Sequence, residues 1–235
     1  RELSNIDQWL KLFSKGLAAD QKKFGIELIG GDTITSLGPT SICISIFGTP
    51  NSKGSLLRSG AKVGDGIFVS GTIGDAALGL MLRGNMSLLC SSKENSYCIS
   101  RYRIPRPRID LGLALGGMAS AAMDISDGLF QDLSHLCSAS NVSGSVQANK
   151  IPLSKEVSSF VNENKFSIEQ VISGGDDYEL IFTAPLTKEN SILNLARATK
   201  TRITRIGTIQ SGKGISIFDK NGNILPFSKG GYSHD

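Results

Sequence analysis

The chain has 235 residues, 40 % of them hydrophobic and 20 % charged, an ordinary balance for a globular protein that buries a core. No apolar run approaches the roughly 18 residues of a membrane-spanning helix. The net charge of +4, with 6 % aromatics and no basic stripe, leaves no footprint of nucleic-acid binding. Leu3, Ile6, Leu10, Phe13 and Leu17 recur at helical spacing, with Trp9 beside Leu10, and predict an amphipathic helix that breaks at Phe24-Gly25. Ile26-Glu27-Leu28-Ile29 reads as a short strand running into Gly30-Gly31-Asp32, and residues 41–47 alternate with period two as a second strand. Residues 48–55 hold Gly, Pro, Asn and Ser and mark a boundary between a first domain, residues 1–52, and a second, residues 53–235.

Beyond the boundary, residues 66–70 predict a strand, Gly71-Thr72-Ile73-Gly74 a turn, and Asp75 the N-cap of a helix that Gly84 ends. Residues 85–103 are polar and read as a loop or a peripheral helix. A helix is expected over 109–122, a strand over 123–126, then a helix whose apolar face is Leu129, Phe130, Leu133, Leu136 and Cys137. Further strands are expected at 178–183, 204–209 and 214–218. The irregular mixing of helices and strands favours an α+β fold over a doubly wound parallel sheet.

Cys43, Cys90, Cys98 and Cys137 are scattered, with no Cys-x-x-Cys pair, which argues against zinc and against a disulfide scaffold. They read as reduced, mostly buried thiols of a cytoplasmic protein. The chain opens at Arg1 rather than Met, with no secretory segment after it, so further residues are expected upstream.

Three segments concentrate glycine and carboxylate at expected strand ends: Gly30-Gly31-Asp32-Thr33, Asp124-Ile125-Ser126-Asp127-Gly128 and Gly174-Gly175-Asp176-Asp177-Tyr178-Glu179. Strand alternation would put Asp124 and Ser126 on one face, with Asp127 at the following turn. Two carboxylates about 4 Å apart repel by roughly 4 kcal/mol at an effective dielectric of 20, so a chain that gathers several needs cations or protons there. All-oxygen sites of this kind suit Mg²⁺, which commonly bridges to substrate phosphates. The residue chemistry therefore points to phosphate transfer or phosphate binding. A lone Asp in such a segment can equally cap a helix or close a turn. There is no Walker-type phosphate loop or protein-kinase catalytic loop, and Gly71-Thr72-Ile73-Gly74 lacks the first G-x-G of a dinucleotide fingerprint. His135 and His234 are poorly placed to act as a base, and Ser126 has no His partner. The basic run from Arg101 to Arg108 reads as solvated surface, with phosphate contact as the alternative.

The order of Gly-Gly-Asp-Thr (30–33), Leu57-Arg58-Ser59-Gly60-Ala61-Lys62 with Gly64-Asp65, Gly71-Thr72-Ile73-Gly74-Asp75, Pro105-Arg106-Pro107-Arg108, Asp124-Ile125-Ser126-Asp127-Gly128-Leu129 and Gly-Gly-Asp-Asp-Tyr-Glu-Leu (174–180) resembles thiamine-monophosphate kinases. Lys229-Gly230-Gly231-Tyr232 fits the C-terminal end of that family, and the resemblance runs over nearly the whole chain. Single motifs are shared with aminoimidazole ribonucleotide synthetase-like relatives.

The resemblance implies transfer of the γ-phosphoryl of ATP to thiamine monophosphate, giving thiamine diphosphate, with Mg²⁺ as cofactor. It implies a homodimer without nucleic-acid or membrane partners. The fold it implies is a partial N-terminal α/β domain that binds ATP and metal, followed by a larger C-terminal mixed α+β sandwich domain. By motif, Asp32, Asp124 and Asp127 would be Mg²⁺ ligands. Gly31, Asp32, Arg58 and Ser126 would border the nucleotide, and Asp176 and Tyr232 the thiamine substrate. Two departures stand out. The family's N-terminal segment, with further metal-binding carboxylates, has no counterpart here, and Ile34 stands where a second Thr is usual. The alternatives are a non-catalytic nucleotide-binding dimerisation fragment and another ATP-dependent enzyme of the same superfamily.

Overall fold

Asn5 starts the first helix, its side-chain oxygen accepting from the Gln8 amide at 3.1 Å. Helix α1 (Ile6–Phe24) runs from there to Gly25, whose left-handed backbone closes it, as the spacing predicts. A computed structural model describes residues 5–35, 37–50, 52–84 and 93–226, with the backbone alone for 93–96. The chain divides into two compact units, Arg1–Gly48 and Thr49–Asp235.

In the first unit, α1 is the regular element among the described residues, and the strands expected at 26–29 and 41–47 are not formed. Ile42, Ile44, Ile46 and Phe47 keep their alternating pattern but are exposed. A strand exists only through the ladder it makes with a neighbour, and among the described residues neither segment has one.

The second unit is an α+β fold built on a mixed six-stranded sheet. Its elements are β1 (Asp65–Ser70), α2 (Asp75–Gly84), α3 (Lys93–Arg103), α4 (Ile109–Leu115), β2 (Ala121–Asp124), α5 (Leu129–Ser140), β3 (Ser143–Gln147), α6 (Lys155–Asn162), α7 (Ile168–Ser173), β4 (Leu180–Pro185), α8 (Glu189–Ala198), β5 (Ile203–Gln210) and β6 (Gly214–Phe218). The strand order is β2-β4-β1-β5-β3-β6, antiparallel throughout except for the parallel pair β3–β6. β1 is central and buried along its whole length.

Helices cover both faces of the sheet. On one side Ile67, Val69, Ile181 and Ile206 pack with Leu78 and Leu82 of α2, Leu129, Leu133 and Leu136 of α5, and Val171 and Ile172 of α7. On the other, Phe68 and Phe182 stack at 5.3 Å between centroids and pack against Leu111 and Leu115 of α4 and Ile192 of α8. Each such fully buried aliphatic side chain contributes about 1.5–3 kcal/mol. Among the described residues no helix is long and apolar enough to cross a membrane.

The expected helix over 109–122 is shorter. Gly116-Gly117 ends α4, and Ala121 pairs with Thr183 of β4, so the strand begins two residues early and ends at Asp124. Ser126 therefore lies in the turn after β2 rather than on the strand beside Asp124. β3 escapes sequence reading because Ser143-Gly144-Ser145-Val146-Gln147 carries a single strong strand former.

Candidate functional site

Two loops make the site: one follows the edge strand β2 and the other precedes its neighbour β4. The first, residues 125–128, joins β2 to α5. The N-terminus of α5 points its unpaired amides into this loop, as every helix must. Asp132, one turn inside α5, folds back to meet them: its Oδ2 accepts from the amides of Ser126 (3.0 Å), Asp127 (3.0 Å) and Gly128 (3.2 Å). Burial pushes the Asp132 carboxyl up to about 6; the Asp127 amide opposes the shift and the Asp127 carboxylate adds to it.

The second loop, residues 174–179, lies against the first. The Asp176 amide donates to the Ser126 carbonyl at 2.8 Å, the Tyr178 amide to the Ile125 carbonyl at 2.8 Å, and the Ile125 amide to the Glu179 carbonyl at 2.8 Å. Side chains alternate along it: Asp177 and Glu179 are buried at 1 % and 0 % exposure, while Asp176 is half-buried and Tyr178 exposed.

The buried pair are anchors. Asp177 caps α2 from a distance of a hundred residues in sequence, accepting from the Gly74 amide at 2.8 Å and the Ala76 amide at 3.2 Å. Asp75, the expected cap, is itself buried and accepts from Thr72 Oγ1 at 2.5 Å and Tyr97 Oη at 3.1 Å. Burial drives the Asp177 carboxyl up to about 7, against the pull of the two amides. Glu179 accepts from Ser70 Oγ (2.6 Å), Arg101 Nη2 (2.9 Å) and Arg108 through Nε (2.7 Å) and Nη2 (2.5 Å). Arg101 and Arg108 are thus not solvated surface; Arg103 and Arg106 between them are exposed. The local signal was weak, because a basic run next to two prolines carries no period that marks burial.

The phenol of Tyr178 lies in the field of Asp176, Asp124 and Asp127. Partial burial first, and then these carboxylates, hold the phenol above its ordinary range. The structure therefore sets Asp124 at the end of β2, Ser126 and Asp127 in the loop after it, and Asp176 in the loop that lies against that one. Among the described residues no group of three or more His, Cys, Asp or Glu is placed to hold a metal ion. Mg²⁺ does not require one, since it keeps several waters and is held by one or two carboxylates plus substrate phosphates. The hard oxygen donors of these loops fit that demand.

Other expected site residues lie elsewhere. Gly31 and Asp32 are exposed in the first unit, where Asp32 Oδ1 accepts from the Thr33 amide at 2.8 Å. Arg58 is exposed, with its carbonyl accepting from Ser140 Oγ at 3.2 Å, at the end of α5 remote from Asp127. Tyr232 with Lys229-Gly230-Gly231, and also Cys90, His234 and residues 85–92, lie outside the described residues. His135 is exposed on α5, Cys98 and Cys137 are buried thiols, and Cys43 is exposed.

The model of a family described as AIR synthase related protein, C-terminal domain, matches residues 62–220. The chain is 39 % identical over 234 residues to the thiamine-monophosphate kinase of Buchnera aphidicola subsp. Schizaphis graminum (strain Sg), covering 96 % of this chain and 69 % of that protein. It is similar to the crystal structure of thiamine-monophosphate kinase from Stenotrophomonas maltophilia K279a, at 35 % identity and a TM-score of 0.66, covering 74 % of this chain and 55 % of that one. It is also similar to AaThiL complexed with AMPPCP and TMP, at 34 % identity and a TM-score of 0.65, covering 77 % of this chain and 54 % of that one. The chain thus spans about two thirds of that curated relative's length and just over half of these solved chains.

Proposed function

We propose a reaction for this chain, which belongs to the thiamine-monophosphate kinase family within the AIR synthase related proteins: ATP-dependent phosphorylation of thiamine monophosphate to thiamine diphosphate. The observation that carries the reading is the backbone pairing of the loop that carries Asp127, just after Asp124, with the loop that carries Asp176. A relative that holds AMPPCP and TMP together supports the choice of substrates.

A phosphate oxygen of thiamine monophosphate forms a bond to the γ-phosphorus of ATP as the bond to the β-bridging oxygen breaks, and ADP leaves. The attacking group is already an anion, so no strong base is needed. The difficulty is electrostatic: two polyanions must meet. Mg²⁺, when bound, neutralises phosphate charge and favours an in-line arrangement. Asp124 and Asp127 are the ligands assigned to it in the second unit. For Asp32, in the first unit, the ligand role stands on the sequence resemblance alone. Ser126, Gly31 and Arg58 are assigned to the nucleotide on the same ground, and Asp176 and Tyr232 to the thiamine. A carboxylate at Asp176 complements the substrate's cationic ring. The same reading makes residues 1–52 part of an ATP- and metal-binding domain, residues 53–235 the C-terminal α+β domain, the working unit a homodimer and its compartment the cytoplasm.

The test is direct chromatography of thiamine diphosphate formed from ATP, thiamine monophosphate and Mg²⁺. Asp127→Asn should lower turnover by roughly a hundredfold or more with the fold retained, because one metal ligand carries a large share of charge neutralisation. Near-parental turnover of that variant at saturating Mg²⁺, or no product from the parent chain, overturns the reading.

A further inference from the structure

Helix α5 begins without a capping side chain: Gly128 stands at its N-cap with φ 123°. An ordinary cap offers its oxygen to amides in the helix's own first turn. Asp132 works in the opposite direction. Its backbone belongs to that first turn, with its amide donating to the Gly128 carbonyl at 3.0 Å, while its carboxylate reaches back ahead of the helix. One oxygen, Oδ2, accepts from the amides of Ser126, Asp127 and Gly128 together. Ser126 and Asp127 lie outside α5, so the carboxylate holds the loop rather than the helix.

The loop is closed on its other side as well. The Ser126 carbonyl accepts from the Asp176 amide, and Gly128 lies against the Ser173 carbonyl with no room for a Cβ. Asp132 is 1 % exposed, whereas Ser126 and Asp127 are half-buried. A ligand can therefore reach the two residues that are held, but not the carboxylate that holds them. A loose loop must give up conformational freedom when it takes a metal or a nucleotide. A loop already fixed by three hydrogen bonds to one buried oxygen is spared most of that loss.

We propose that Asp132 is a positioning residue for the metal–nucleotide: it gathers the amides of residues 126–128 and so pre-orders Ser126 and Asp127 for a divalent cation with its nucleoside triphosphate. The inference rests on the kinase reading, in which Asp127 is a metal ligand and Ser126 borders the nucleotide. What Asp132 supplies is an acceptor. The amide oxygen of an asparagine can take its place, and a methyl group cannot.

The experiment is calorimetric titration of the parent chain, Asp132→Asn and Asp132→Ala with Mg²⁺–ATP and, separately, with thiamine monophosphate, alongside thermal denaturation. Asp132→Ala should bind Mg²⁺–ATP about tenfold more weakly and thiamine monophosphate within about threefold of the parent. Asp132→Asn should stay within about threefold of the parent for both ligands. Amide hydrogen exchange of the parent, free of metal and nucleotide, should show residues 126–128 protected to about the level of β4. Free exchange at those three amides overturns the inference whether or not Asp132→Ala folds. Unchanged Mg²⁺–ATP affinity of a folded Asp132→Ala overturns it, and so does equal weakening toward both ligands, which would show general loop damage. A loss in Asp132→Asn as large as in Asp132→Ala overturns it too, since the charge and not the acceptor would then matter. No binding of Mg²⁺–ATP by the parent chain overturns the kinase reading and this inference with it.

Discussion

Arg101 of α3 reaches Glu179 at 2.9 Å, with the two side chains 2 % and 0 % exposed. The same nitrogen donates to the Asp177 carbonyl at 3.0 Å, so one guanidinium grips two consecutive anchors of the acidic loop. A buried ion pair gains little net stability, because desolvation consumes most of the attraction. Its value here is register: the rigid, planar fork allows one arrangement of residues 177–179 and therefore one presentation of Asp176 and Tyr178.

Removing the charge at the centre of this bracket should be costly. Glu179→Gln would leave Arg101 and Arg108 facing an amide that cannot neutralise them, and should destabilise the fold by about 3–5 kcal/mol. Arg108→Met should cost clearly less, since its side chain is 24 % exposed and Arg101 still pairs with Glu179. Urea denaturation of the two variants checks the order, and equal losses would show that the bracket does not hinge on Glu179.

Acidity should stabilise the anchor below the loop. Burial raises the Asp177 carboxyl to about 7, whereas in the unfolded chain it titrates near its ordinary value of about 4. The folded protein holds this proton more tightly, so the contribution is complete below about pH 4 and is lost as pH rises through about 7. The Tm of the parent minus that of Asp177→Asn should fall steadily between about pH 5 and about pH 8. A difference that stays flat across that interval contradicts the assignment.

The two loops touch through bare backbone, and this contact should tolerate no added carbon. A Cβ on Gly175 would collide with the Ser126 carbonyl oxygen, and one on Gly128 (φ 123°) would sit 2.7 Å from the Ser173 carbonyl oxygen. Gly175→Ala should therefore cost about 1–3 kcal/mol and part the loops. Amide hydrogen exchange is the sensitive probe, because the Asp176 and Tyr178 amides donate across the seam. Unchanged protection at both amides would mean that the seam yields without opening.

The acidic segments were legible from the amino-acid order because each pairs glycine with carboxylate at a strand end, a local pattern with a chemical cause. The same is true of β1, β5, β6, α2 and α5, where periodicity and end signals lie within a few residues of one another. The strands expected at 26–29 and 41–47 show the limit: alternation describes a surface suited to a sheet and supplies no neighbour. Ser126 shows it again, since pairing with β4 decides where β2 ends.

Family and reaction class followed from the order of amino acids, because motifs are written in residue types and short spacings. Which acids face outward and which lie beneath them was settled only by folding. Asp176 and Asp177 are adjacent and chemically identical, yet one is half-buried and the other is fully buried and caps a helix about a hundred residues away. The arginines that hold the loop looked like surface until the chain brought Glu179 against them. Burial and long-range pairing depend on the meeting of distant segments, and no window of neighbouring residues contains that information.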